Sequence, residues 1–245
     1  MAQKKPQPQK TKYQLWQETV DDGLTNAAWD VYDTTIQLEV ADYNSRHSGT
    51  PGYKQVNWLL IKAMLWAESG GPKSKAWKTR PMQIGNTGDP GYATVKNGAE
   101  GSSVVMPPKL KGELPTGNIN EPHFNIRVAI AYLFTRMAKV GTQSVVDSTD
   151  PKVFPYKVVK GDNGLATIAK KVGSTTETLQ KLNPNAKLLH VNDTIQCQKA
   201  SYKTVILGWR TFDTANIALL YNAGGDDRYA EKLDYVLSLF PKVKR

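Results

Sequence analysis

The chain has one cysteine, Cys197, and only three histidines, His47, His123 and His190. A single cysteine excludes an internal disulfide and cysteine-rich zinc sites, and the histidines show no ligand-like spacing, so neither a structural metal nor a cofactor is expected. So little cysteine suits synthesis in a reducing cytoplasm. No run of about 18 apolar residues occurs, which excludes an apolar membrane-spanning helix. Residues 1–12 are basic and rich in Gln and Pro, with no apolar stretch behind them. They read as a disordered arm rather than a signal peptide. Zinc-finger spacing, an aromatic RNA-binding strand and a recognition helix are missing as well, so nucleic acid is not expected as a partner. The net charge of +10, from 32 Lys and Arg against 22 Asp and Glu, is then a solvated basic surface suited to a polyanionic environment.

What is present is enough for a core: 245 residues, 40% of them apolar. The most informative stretch is 52–71. Val56, Leu59, Leu60, Ala63, Met64 and Ala67 recur at steps of three and four, predicting a helix with a buried stripe, with Thr50 as N-cap, Pro51 in the first turn and Gly70-Gly71 as the stop. Glu68 continues the Leu60, Met64 row into the last turn. Burial and the negative end of the helix dipole both raise the pKa of a carboxyl placed there, and a carboxyl that is protonated near neutral pH can act as a general acid.

Residues 13–45 read as one or two amphipathic helices and residues 72–122 as irregular chain with embedded aromatics; 125–138 restores a strong helix. Composition turns to Gly, Thr, Ser, Asp and Pro over 141–155, a linker signature, and a second linker is expected near 200–201. Between them lies a strand at 156–160, helices at 165–172 and 176–182, and a strand at 193–197. Helices return at 211–223 and 228–240. The reading is a mainly α body interrupted by a small α+β module.

Four pieces of the body, in order, resemble the lytic transglycosylase domain of the lysozyme-like superfamily: Glu68-Ser69 ending an apolar helix, Pro81-Met82-Gln83-Ile84, Asn125-Ile126 opening a helix that reaches Tyr132-Leu133, and Ala218-Leu219-Leu220-Tyr221-Asn222-Ala223-Gly224 with Tyr229 beyond it. The resemblance covers roughly 52–138 and 209–240. It implies a discontinuous lysozyme-like domain over 13–145 and 205–245, with Glu68 and Tyr221 catalytic, Tyr221 hydrogen-bonding near Glu68, and Ser69, Met82, Gln83, Asn125, Asn222 and Tyr229 binding substrate. Met82 and Tyr229 read equally well as core packing. Arg80-Pro81 stands where the family has Gly-Leu, and an arginine close to Glu68 would lower its pKa.

The inserted unit, 153–200, resembles a LysM module, a βααβ fold, through the run from Tyr156 to Asp162, Leu165 to Ala169, Leu182-Asn183-Pro184 and Asp193-Thr194-Ile195. The resemblance implies a glycan site at Gly161, Asp162, Asn163, Gly164, Lys187, Leu188 and Leu189, although Asn163-Gly164 replaces the usual small polar residue. Together the two resemblances imply a lyase that cleaves the peptidoglycan bond between N-acetylmuramic acid and N-acetylglucosamine, leaving 1,6-anhydro ends. A hydrolytic muramidase with Asp89 as base is the alternative chemistry, and a non-catalytic wall-binding or tail protein the alternative class. Peptidoglycan is the expected partner. With no leader read at the N-terminus, the expected route is synthesis in the cytoplasm and delivery to the periplasmic wall by a secretion system or a phage tail.

Overall fold

A computed structural model describes residues 9–243. It is mainly helical, 52% helix against 12% strand, with two small two-stranded sheets. Of the arm expected over 1–12, residues 1–8 lie outside the described residues. The remainder is short, because Thr11 caps the first helix: its hydroxyl accepts from the Gln14 N–H while Gln14 Oε1 accepts from the Thr11 N–H at 2.8 Å. No helix among the described residues is long and apolar enough to cross a membrane.

The chain forms two compact units, one running to Lys139 and resuming at Ile206, the other spanning Val140–Val205. The first contains α1 (Lys12–Asp21), α2 (Asp33–His47), α3 (Trp58–Ser69), α4 (Lys75–Thr79), α5 (Pro90–Lys96), α6 (Ser102–Val105), α7 (Pro108–Glu113) and α8 (Pro122–Met137). Strands β1 (Ala138–Val146) and β2 (Val153–Lys157), helices α9 (Leu165–Val172) and α10 (Thr176–Leu182), and strands β3 (Thr194–Gln198) and β4 (Ala200–Trp209) follow. The chain then makes α11 (Thr214–Ile217), a π-helical turn at Ala218–Asn222 and α12 (Tyr229–Leu239).

In the helical unit α3 packs between α2 and α12, while α8 packs on α2 and α5. Helix α8 is buried nearly all round, as expected of a central helix whose Phe124, Ile126, Ile130, Leu133, Phe134 and Met137 leave no polar face. Trp29, Trp66 and Trp77 meet edge-on or tilted beside α3, with Trp29 and Trp66 centroids 4.6 Å apart. Lys62 is buried on α3, and its ammonium meets Asp30 and Asp33 at 2.6 Å each. Removing one partner of such a cluster leaves a buried charge uncompensated.

The second unit has a core of its own, built from Val158, Leu165, Ile168, Leu179, Ile195 and Cys197 with Phe154, Tyr156, Val172 and Leu189 against it. Its strands β2 and β3 pair antiparallel, Tyr156 opposite Ile195. The expected helices at 165–172 and 176–182 are in place; the first strand lies three residues earlier than expected, at 153–157.

Three expectations fail locally. Helix α3 starts at Trp58 rather than near Pro51, because Asn57 caps it by accepting from the Leu59 N–H and Gly52 is left-handed at φ 71°. Thr50 serves elsewhere, donating to the His47 carbonyl and accepting from the Trp209 indole. The stretches read as linkers at 141–155 and 200–201 contribute β1 and β4, which pair with each other. The irregular chain of 72–122 holds four short helices whose lengths are too small for periodicity to register.

Both glycines that stop α3 are left-handed, Gly70 at φ 66° and Gly71 at φ 88°, but only Gly71 is crowded: a Cβ there would overlap the Trp29 ring. Gly71→Ala is expected to destabilise by about 2–4 kcal/mol, combining the left-handed penalty with overpacking. Gly70→Ala, facing open space, is expected to cost only about 1–2 kcal/mol. Urea unfolding of the two variants checks the order.

Candidate active site

A cleft of about 140 Å³ in the helical unit is lined by Glu68, Met82, Gln83, Ile84, Asp89, Tyr132, Tyr221 and Asn222. These residues come from four separate stretches, and each is held by an identifiable contact. Glu68 sits in the last turn of α3, one residue before the Ser69 that precedes the left-handed C-cap Gly70. The residue as a whole keeps partial exposure, yet its carboxyl is enclosed by protein atoms.

That enclosure sets its chemistry. Burial pushes the Glu68 pKa up to about 7, against the pull of a hydrogen bond from Tyr229 and the positive charge of Lys232; Asp226 and Asp89 reinforce the rise. Tyr229, the first residue of α12, donates its hydroxyl to Glu68 Oε1 at 2.6 Å. Burial, with the neighbouring Glu68 charge, holds the Tyr229 phenol well above its ordinary pKa, so it remains a donor. Asp226 and Lys232 flank Tyr229 and pair at 2.5 Å. Burial acts to raise the Asp226 pKa, but the hydrogen bond from Lys232 and that from the Arg228 N–H outweigh it and the net shift is downward. The arginine feared close to Glu68 is directed elsewhere: Arg80 Nη1 donates to the Gly85 carbonyl at 2.8 Å.

The floor of the cleft is irregular chain held by side chains, Asn125 at Met82 and Ile84 and Arg80 and Asp89 at Gly85. Asn125, fully buried in the first turns of α8, accepts from the Met82 N–H at 3.0 Å and donates to the Ile84 carbonyl at 2.9 Å and the Ile119 carbonyl at 3.2 Å. Between the two anchors Gln83 is left-handed at φ 54°, its amide oxygen accepting from Asn86 at 2.8 Å. Asp89 caps α5, one oxygen accepting from the Gly85 N–H at 2.6 Å and the other from the Gly91 N–H at 2.8 Å. Tyr221 and Asn222 close the opposite side from the π-helical turn. Tyr221 donates to the Met82 carbonyl at 3.2 Å and its ring packs on Tyr132 at 5.6 Å, while Asn222 Oδ1 accepts from the Asp226 N–H at 2.7 Å.

No family model, curated protein or solved structure matches the chain. The site is therefore read on its own geometry. Of the residues singled out from sequence, Glu68, Met82, Gln83, Tyr221 and Asn222 meet in one cleft, with Asp89. Three others have different places. Ser69 is buried and caps its own helix end, its hydroxyl accepting from the Gly71 N–H; Asn125 serves the fold of the floor; and Tyr229 lies behind Glu68 instead of along the cleft. The hydrogen bond expected between Tyr221 and the neighbourhood of Glu68 belongs to Tyr229, because α12 runs alongside α3 and brings its first residue to the carboxyl. Tyr132 and Ile84 line the cleft without having been assigned to it, and Asp226 and Lys232 were not singled out at all. Part of the signal was available: Lys232 follows Tyr229 by three residues on α12, which places those two on one face, whereas Asp226 precedes the helix and carries no such mark.

A separate groove of about 670 Å³ lies in the second unit, where Asp162, Asn163 and Gly164 after the first turn of chain face Lys187, Leu188 and Leu189. Leu188 is 74% exposed, a large apolar side chain presented to solvent. The Asp162 carboxylate, however, is turned inward: it accepts from the Val159 N–H at 2.9 Å, Tyr156 hydroxyl at 3.1 Å and Lys171 ammonium at 2.5 Å. Those bonds, the one from Lys171 foremost, keep its pKa below the ordinary carboxylate value. Gly161, left-handed at φ 98°, shapes the turn and does not line the groove.

The raised Glu68 pKa has a consequence for stability. In the unfolded chain the group titrates near 4.5, in the folded chain near 7, so between these values the folded state holds a proton that the unfolded state has lost. Stability is therefore greatest below pH 4.5 as far as this group is concerned and falls as pH rises to 7, by up to about 3 kcal/mol. Urea unfolding at pH 5 and pH 8 is expected to differ less in Glu68→Gln than in the unaltered chain.

Proposed function

We propose that the protein is a peptidoglycan lytic transglycosylase of the lysozyme-like type, and that its second unit is a LysM-type glycan anchor. The observation that carries the reading is a single buried carboxyl, poised near pH 7 at the back of a cleft whose other lining carboxylate, Asp89, has both oxygens committed to backbone N–H groups. Hydrolysis with inversion or retention draws on two working carboxylates. Formation of a 1,6-anhydro ring needs one.

In the proposed reaction protonated Glu68 gives its proton to the bridging oxygen as the bond from the muramoyl C1 to that oxygen breaks. The resulting carboxylate then takes the proton of the C6 hydroxyl while the C6 oxygen bonds to C1, which returns Glu68 to its acid form with no water consumed. Tyr229 steadies the carboxylate between these steps through its 2.6 Å hydrogen bond. Gln83 and Asn222 present amide groups to the sugar along the cleft, and the Tyr132 and Tyr221 rings supply an apolar wall suited to the face of a pyranose. In the second unit Leu188 and Leu189 offer apolar surface and Asn163 and Lys187 polar groups to an N-acetylated glycan.

Incubation with purified sacculi tests the reading. Soluble muropeptides with 1,6-anhydro ends are expected, whereas reducing ends would move the assignment to a muramidase and no release at all would leave a wall-binding protein. Glu68→Gln is expected to lower turnover by about 10²–10⁴-fold, the worth of a general acid. Because the acid form is the reactive one, kcat/KM is expected to fall as pH rises through about 7. In Tyr229→Phe that limb is expected to move to higher pH, since the lost hydrogen bond favours the charged form. For the second unit, Leu188→Asp is expected to weaken retention on insoluble sacculi about 10-fold while leaving the product chemistry unchanged, with one exposed apolar contact worth about 1.4 kcal/mol.

A further inference from the structure

Arg136 lies in the last turn of α8, one turn beyond Tyr132, and belongs to none of the motifs that led to the cleft. Its guanidinium joins three segments. Nε donates to the Leu220 carbonyl at 3.0 Å, Nη1 pairs with Glu100 Oε2 at 2.5 Å, and the guanidinium carbon stands 6.0 Å from the centroid of the Tyr132 ring. Leu220 immediately precedes Tyr221 and Asn222 in the π-helical turn, and the Tyr132 ring supports the Tyr221 ring.

A π-helical turn is uncommon, and this one ends its helix, so Leu220 is among the last carbonyls, which find no N–H within the helix and depend on partners from outside it. This turn also ends on Ala223 at φ 50°, a left-handed conformation that a residue with a Cβ seldom adopts unaided. Arg136 supplies an outside partner. A planar fork can donate to a carbonyl through one nitrogen and to a carboxylate through another while its face lies over an aromatic ring, which a lysine ammonium cannot do. Glu100 completes the arrangement from an equally unusual position, left-handed at φ 52° between Gly98 and Gly101. The Arg136–Glu100 pair is partly exposed and contributes little stability by itself. Its geometry is what matters, because it sets the plane of the guanidinium.

We propose that Arg136 is a positioning residue for the cleft: by clamping the Leu220 carbonyl over Tyr132, with its plane fixed by Glu100, it holds the π-helical turn so that Tyr221 and Asn222 face Glu68. The kinetic consequence rests on the lytic transglycosylase reading; the structural consequence does not. A role as a mere charge at the C-terminal end of α8 would be preserved by lysine, and a general contribution to stability would not be confined to one turn.

The test uses the full chain with Arg136→Met, Arg136→Lys and Glu100→Gln, turnover on purified glycan strands, thermal unfolding, and amide hydrogen exchange over residues 218–224. Arg136→Met is expected to lower kcat about 10-fold or more with KM changed less than about 3-fold, as for a reacting group displaced by a fraction of an ångström. Arg136→Lys is expected to behave like Arg136→Met, and Glu100→Gln to show a smaller loss of the same kind. In a Tyr221→Phe background the Arg136→Met effect is expected to shrink below about 3-fold, since both changes act through the same side chain. Exchange over 218–224 is expected to rise about 10-fold or more, while that of α8 and the melting temperature hold. Unaltered kcat, full rescue by lysine, or additivity with Tyr221→Phe would overturn the proposal. Should the unaltered chain release no glycan product, the functional reading fails and the exchange measurement decides alone: selective loss of protection over 218–224 supports the clamp, and unchanged protection in Arg136→Met sinks it.

Discussion

The cleft depends on one buried carboxamide. Its floor, residues 82–85, has no repeating backbone hydrogen bonds, and Asn125 replaces them with bonds to the Met82 N–H and to the Ile84 and Ile119 carbonyls. A side chain that is both donor and acceptor is required, because one anchor is an N–H and the others are carbonyls. Gln83, with its positive φ, lies between the two anchored residues. The Met82 carbonyl left over then receives the Tyr221 hydroxyl, so the floor orients the opposite wall as well.

Against that frame Glu68 is balanced rather than simply buried. Enclosure and two acidic neighbours favour its neutral form; Tyr229 and Lys232 favour the charged form. In the proposed reaction the acid gives up a proton and later recovers one, which works best with neither form strongly preferred, and a group poised near 7 meets that condition. Helix α1 supports the same side of the site at one remove, with Trp16 under the Lys232 ammonium at 5.2 Å and Tyr13 under Arg228 at 4.9 Å. Helix α1, which lies before the stretch that the resemblance covers, thus acts on α12.

Much of this was legible in the residues. The long helices announced themselves because their apolar positions recur over three or more turns, and Glu68 was found because it continues such a row to a glycine stop. Met82, Gln83, Tyr221 and Asn222, which line the same cleft, were singled out on other grounds, from motifs that resemble a known family and not from any periodicity. The exchange of roles between the two tyrosines was not legible: which phenol reaches Glu68 depends on α12 lying beside α3, a tertiary fact with no local periodicity. Ser69 and Asn125, expected to bind substrate, share a placement that sequence does not display: their side-chain hydrogen bonds go to backbone groups. The strand β1 was hidden by small and polar residues that composition assigns to a linker, whereas β4 was missed although Tyr202, Val205, Ile206 and Leu207 suit a strand, because only its opening Ala200-Ser201 was weighed.

The pairing of β1 with β4 bears on how the chain folds. The helical unit must join residues before 140 to residues after 205, and a flexible connection of that length carries a closure entropy. The intervening unit has its own core and its own local contacts. If it forms first, the two strands bring the ends of the interruption side by side, and the effective loop shrinks by a factor on the order of ten, lowering the closure cost by about 2 kcal/mol. The inserted unit then serves its host as a folded hairpin turn, and the interrupted helical body folds with nearly the contact order of an unbroken one.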